Sequence, residues 1–369
     1  MKKKRILYIS HVEWGWIKQR PHFIAEGLNE EYNVDYFCRR KYRGKGCENL
    51  TKINLIRPLA LPFERFSIIR YINSLIVNLY LKIILKRYNI IWITCPNDIS
   101  YNALRQADND QIVIYDCMDD MLEFGQSKDE IERVRNRENH IFNSANLVFC
   151  SAEYLKKKLQ NRYGNRKVVV VNNALYQIPN YLNVTMDNLP LHYKKSSHFK
   201  IVYIGTISEW MDVELIRSLV EKDETNEVFL FGPYKENMKA LFNIPRIHLM
   251  GAIEHHLVNS VMLSADILIM PFVLNELILS VNPVKLYEYI ASGKPCLAPL
   301  YSESEYFADY CHLYNTKEDC ERIIKDIKLR KVGPKKTMDQ CLEFAMRNTW
   351  DKRVSYMLNH VNTILDGCE

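Results

Sequence analysis

Residues 267–299 read ILIMPFVLNELILSVNPVKLYEYIASGKPCLAP. The pattern predicts a strand over Ile267–Met270, a loop opened by Pro271, a helix over Val284–Ser292 closed by Gly293, and a second strand over Pro295–Pro299. Both strands are short unbroken apolar runs, as in parallel sheets covered on both faces. Strand, helix and strand in that order make a βαβ unit, the building block of an α/β fold. Asn282-Pro283 sets the helix start, and a helix start offers free backbone N–H groups and about half a positive charge. Lys285 lies in that first turn, where the dipole disfavours a cation, so an anionic ligand would account for it. Glu288 is one turn on, on the same face, placed to accept from a ribose diol or simply to pair with Lys285.

The same rhythm runs outward in both directions. Strands are expected at Arg5–Ser10, Asn33–Phe37, Ile90–Thr94, Ile112–Tyr115, Leu147–Cys150 and Val168–Val171, with helices from Pro21 and over Asp129–Ser144. Residues 176–198 hold Pro179 and Pro190 and no period, the mark of a connection. A second series follows at Lys200–Gly205, Val228–Phe231 and Ile247–Leu249. The expected organisation is a first domain over 1–180, a linker over 181–198, a second domain over 199–347 and a final helix over 348–369. The fold class is α/β: two Rossmann-like, doubly wound parallel-sheet domains facing a cleft, where ligands of such sheets bind.

A length of 369 residues suits two domains. Hydrophobic residues at 47% and charged residues at 25% exclude a disordered tail, a collagen-like fibre or a small disulfide scaffold. The ten cysteines form no CxxC, which argues against a zinc ribbon or thioredoxin-type site. With no secretory signal read at the start, reduced thiols in a cytosolic protein are expected.

Residues 1–105 hold 19 basic and 8 acidic side chains, while the whole chain nets only +6. Such asymmetry suggests that the front faces an anionic surface. Phe63–Ile93 carries an apolar row of Ile68, Ile69, Ile72, Leu75, Ile76, Leu79 and Ile83, broken by charges, too short to span a bilayer. It reads as a helix packed on the core or as an interfacial helix on an anionic leaflet, joined by the cluster Arg39, Arg40, Lys41, Arg43 and Lys45. No nucleic-acid-binding module is visible, and the absence of GxGxxG weighs against a nicotinamide or flavin enzyme.

The segment Glu288-Tyr-Ile-Ala-Ser-Gly293-Lys-Pro295 resembles the donor motif of GT-B glycosyltransferases, two-domain enzymes that use nucleotide sugars. The variant Asn282-Pro-Val-Lys285-Leu-Tyr-Glu288-Tyr is similar to transferases of bacterial capsule, teichuronic-acid and exopolysaccharide assembly. The resemblance implies that Glu288 holds the ribose and that Lys285, with the helix amides, meets the diphosphate. The position of the family's other glutamate is Ser280, with Glu276 four residues away. Gly205 and Thr206 match the family's glycine turn, Ile253 its base-contacting strand end, and Trp350-Asp-Lys-Arg353 the start of the helix that crosses back. The implied donor set is Gly205, Thr206, Ile253, Ser280, Asn282, Lys285 and Glu288. His11 to His22 looks like the family's first loop, with Trp14, Gly15 and Arg20 as acceptor or phosphate contacts and Trp16 as a further stacking surface.

Tyr115-Asp116-Cys-Met-Asp119-Asp120-Met-Leu-Glu123 follows a buried strand. Crowded carboxylates raise at least one pKa. An inverting transferase needs a base for the acceptor hydroxyl, and Asp119 is the first choice, then Asp116, then Asp120; helix capping is the alternative role. The expected function is transfer from a UDP-sugar to a lipid-diphosphate-linked glycan, by a cytoplasmic protein peripheral on an anionic membrane, with no cofactor, metal or nucleic acid. Alternatives are a nucleotide-sugar 2-epimerase of the same architecture and a catalytically silent subunit of a partner transferase.

Overall fold

The computed structural model describes residues 3–15, 17–38, 52–58, 61, 63, 66–125, 127–179 and 187–367. Trp16 and the Arg39–Lys45 cluster lie outside the described residues. The chain forms two units, residues 1–173 with 350–369, and residues 174–349.

The first unit runs β1 (Arg5–Ile9), α1 (Arg20–Glu31), β2 (Asn33–Phe37), β3 (Asn54–Ile56), α2 (Ser67–Ile84), β4 (Ile90–Ile93), α3 (Asp98–Arg105), β5 (Ile112–Cys117), α4 (Lys128–Ser144), β6 (Leu147–Cys150), α5 (Glu153–Tyr163) and β7 (Val169–Val170). Its sheet is parallel throughout, in the order β3-β2-β1-β4-β5-β6-β7. The central strands β4, β5 and β6 are buried end to end because alternate residues face helices on either side. On one face Tyr36, Tyr8, Trp92 and Phe149 stack in succession at 5.5, 5.8 and 5.7 Å.

The second unit runs α6 (Leu191–Lys195), β8 (Phe199–Ile204), α7 (Val213–Glu221), β9 (Asn226–Phe231), β10 (Ile247–Gly251), α8 (Val258–Ser264), β11 (Ile267–Ile269), α9 (Glu276–Leu279), α10 (Val284–Ala291), β12 (Cys296–Pro299), β13 (His312–Tyr314), α11 (Lys317–Lys328) and α12 (Met338–Arg347). Its parallel sheet has the order β10-β9-β8-β11-β12-β13, the doubly wound arrangement again. Where a linker is expected, residues 187–198 form part of this unit: Leu189 and Tyr193 are buried in its core, and the Tyr193 hydroxyl donates to Val261 O.

The last helix, α13 (Trp350–Asp366), belongs to the first unit. Trp350 stacks on Phe23 at 5.0 Å, and a β-carbon at Gly27 of α1 would stand 2.8 Å from Val354. Glycine at 27 therefore sets how closely these two helices pack.

Helix α2 differs from the core-packed reading of its apolar row. Its core face is Asn73, Val77, Leu81 and Ile84, whereas Ile68, Leu75, Leu79 and Ile83 are 67%, 48%, 56% and 66% exposed. The helix is apolar on both faces, so the row picked out by periodicity is the outer one. No helix among the described residues is long and apolar enough to cross a membrane.

Candidate active site

The carboxyl ends of the second sheet are built around three glycines. Gly205, Gly232 and Gly251 follow or end β8, β9 and β10, all with positive φ (156°, 140° and 73°). A β-carbon at Gly232 would stand 1.9 Å from Gly205 O, an impossible backbone contact. The amide of Gly205 donates to Phe231 O and that of Gly232 to Gly251 O, which links the three turns. A β-carbon at Gly205 would lie 3.2 Å from Lys285 Cε, so the lysine stem passes directly over this turn. Thr206 is exposed beside it, its carbonyl accepting from the Tyr203 hydroxyl.

Helix α10 brings Lys285 and Glu288 to the same place. Nζ of Lys285 lies 2.8 Å from Glu288 Oε2, and both side chains keep part of their surface in solvent. Glu288 also lines a pocket of about 260 Å³ with Tyr176, Gln177, His255, His256 and Asn259. The His255 ring stands 4.3 Å from that of Tyr176. Its imidazole is held below the ordinary value, chiefly by burial, with Glu288 acting for the cation and Lys285 against it. His255 and Tyr176 escaped the sequence reading; the signal was the His255-His256 pair just past the Gly251 turn. Ile253 is half-buried in that turn.

Two residues of the expected donor set stand elsewhere. Ser280 is fully buried, and its hydroxyl donates to Glu276 O within α9. Asn282 is buried between α9 and α10, accepting from the Tyr287 hydroxyl. Both build the entry to α10 rather than a ligand surface. Glu276 is exposed at the start of α9.

In the first unit, Arg20 differs from the expected phosphate contact. It is buried, its guanidinium donating to both Asp116 oxygens (2.7 and 3.2 Å) and to Val171 O (2.6 Å). The pair joins the first residue of α1 to the end of β5 and the residue after β7. Gly15 is exposed at φ 101°, while Trp14 is half-buried, its ring edge-on to Tyr36 (4.8 Å) and His22 (5.0 Å).

The three aspartates at and beyond the end of β5 are sorted by their partners. Asp116 is held by Arg20. Asp120 is buried, accepts from Leu122 N, and meets Lys158 and Arg162 of α5, each at 2.7 Å. Its carboxyl is held below the ordinary range: these hydrogen bonds and charges outweigh burial, the largest single influence. The Asp119 carboxyl has no hydrogen-bonding or ion-pair partner among the described residues, although the residue is partly exposed. Desolvation pushes it up to about 6, against the pull of Arg20 and with a smaller push from Asp120. That is the value range of a general base working near neutral pH.

No family model matches the chain. A provisional teichuronic acid biosynthesis glycosyltransferase of Bacillus subtilis (strain 168) is 25% identical over 324 residues, 79% of this chain and 80% of that protein. Among solved structures, sucrose-phosphate synthase of Thermosynechococcus elongatus superposes with a TM-score of 0.73 at 14% identity, covering 99% of this chain and all of that one. Anabaena HepE, solved in complex with UDP and glucose, also reaches 0.73 at 13% identity, covering 98% of this chain and all of that one. The fold is that of the GT-B glycosyltransferases, and these similarities support a glycosyltransferase enzyme.

Proposed function

We propose that the chain transfers a sugar from a UDP-sugar to a lipid-diphosphate-linked glycan in cell-surface polysaccharide synthesis, with inversion at the anomeric carbon. The observation that carries the reading is the grouping of Lys285, Glu288 and the glycine turn at 205 at the carboxyl ends of the second sheet. Small residues there leave room for a diphosphate against backbone, and Lys285 supplies the cation. Glu288, which lines the pocket, takes the ribose hydroxyls in this reading. In this reading Asp119 takes the proton of the acceptor hydroxyl. The oxygen attacks the anomeric carbon, the bond from that carbon to the β-phosphate oxygen breaks, and Lys285 with nearby amides stabilises the departing UDP.

The α2 surface supports a peripheral place at an anionic membrane. Its outer row of isoleucines and leucines is flanked by exposed Lys82, Lys86 and Arg87, the pattern of a helix lying at a headgroup boundary. Association is expected with anionic and not neutral liposomes, weakening as salt rises.

The test is transfer from UDP-sugars to lipid-linked acceptors, with the product anomer assigned by NMR. Inverted product and UDP release, both lost in Asp119→Asn, are expected. Retained configuration would remove the aspartate mechanism. Acceptor-free conversion of UDP-N-acetylglucosamine would replace the reading with an epimerase.

A further inference from the structure

The amino ends of the second sheet, opposite the glycine turns, carry a group that the transferase reading does not use. Glu227, the second residue of β9, is buried, and imidazoles converge on it from separate elements. His248 Nε2, from β10, lies 2.6 Å from Glu227 Oε1. His192 Nε2, from α6, lies 3.1 Å from His248 Nε2 and 3.5 Å from the same Oε1. His198 Nδ1 stands 3.4 Å from the other oxygen, Oε2, which also accepts from the Ser196 hydroxyl.

Proton counting makes this arrangement unusual. His248 Nε2 has one proton at most, yet a carboxylate oxygen and a second imidazole nitrogen both stand within hydrogen-bond distance of it. If the proton goes to the glutamate, His192 keeps no bond to His248. If it is absent, a lone pair faces a carboxylate oxygen. One cation satisfies all three atoms together. The circle through them has a radius of about 1.8 Å from the three separations. A zinc ion bonds nitrogen at ~2.0–2.1 Å and carboxylate oxygen at ~2.0–2.2 Å, so it reaches all three from about 1 Å out of their plane.

We propose that His192, His248 and Glu227 form a binding site for a divalent transition-metal ion, zinc by its donor set, with water in the fourth position. Two imidazoles and one carboxylate suit zinc better than magnesium or calcium, which prefer oxygen. The surroundings hold the ligands in place. Ser196 occupies Oε2 and turns Oε1 towards the imidazoles, and the His248 ring stacks on buried Phe229 at 4.9 Å. Outer contacts of this kind fix ligand orientation in metal sites. His192 is exposed, which leaves an entry path. The ion ties α6 to β9 and β10 at the end of the sheet opposite the glycine turns.

The test uses the full chain without a histidine tag, incubated with zinc and desalted. Close to one zinc per chain by elemental analysis is expected, with a higher thermal midpoint that chelator reverses. Cobalt in place of zinc should give the visible absorption of a tetrahedral site. His192→Ala and His248→Gln should each lose the bound ion; His192 is exposed, so its variant tests the site without disturbing the core. No retained metal in the wild-type chain would overturn the proposal, as would full retention in both variants.

Discussion

The two sheets share a strand order, yet their carboxyl ends are finished in opposite ways. In the first unit the end is filled with charge: Arg20 lies on Asp116, and Lys158 and Arg162 lie on Asp120. In the second unit it is hollowed by glycine, with a partly exposed lysine and glutamate above the gap. A filled end fixes side chains, and among the described residues it leaves the Asp119 carboxyl without a hydrogen-bonding or ion-pair partner. A hollow end leaves backbone and a cation open to an anion. In the proposed reading, the same topology serves a proton acceptor in one unit and a phosphate in the other.

The largest expected effect would break the filled end. Arg20→Ala leaves Asp116 buried without its partner and should cost about 3–5 kcal/mol of stability, read by chemical denaturation; a cost under about 1 kcal/mol would mean that the pair does not organise this end. Asp119→Asn should lower kcat by about 10²–10⁴-fold with the fold intact. Its carboxyl is raised from the ordinary range to about 6, so the folded state binds the proton more tightly and ionised Asp119 lowers stability as pH rises from about 4 through about 6. The variant should therefore be no less stable than the wild type at pH 8, which separates catalysis from structure. Wild-type kcat should fall about tenfold per pH unit below about 6, a limb absent from a variant whose residual rate no longer needs that base. At the hollow end, Lys285→Ala should cost about 10²–10³ in kcat and weaken UDP binding by calorimetry; unchanged binding would move the phosphate elsewhere. The smallest effect sharpens the contrast: Ser280→Ala removes one internal hydrogen bond, about 0.5–1.5 kcal/mol, and should leave UDP affinity unchanged.

Much of the fold was legible because buried parallel strands are continuous apolar runs, as at Ile90–Ile93, Ile112–Cys117 and Leu147–Cys150. The three-residue strands Asn54–Ile56 and His312–Tyr314 were not, since so short a run has no period and owes its conformation to the neighbouring strand. Lys285, Glu288 and Gly205 could be read as a site from helix-start chemistry and a glycine at a strand end. Ser280 and Asn282 could not be separated from them, because a polar residue that completes a helix junction has the same spelling as one that meets a ligand. Proximity of His192, Glu227 and His248 was also invisible, their 192–248 spacing carrying no metal motif.

By itself the sequence determined the alternation of strands and helices, the excess of positive charge before residue 106 and the three aspartates between 116 and 120. Those properties are local: periodicity, charge and order along the chain. Only the tertiary structure decided which aspartate keeps an unpaired carboxyl, which row of α2 meets solvent and which histidines surround Glu227. Each depends on a partner far away in the chain, Arg20 for Asp116 and Arg162 for Asp120. Burial and pairing are properties of the packed interior, and they alone set which charges are satisfied and which stay free to react.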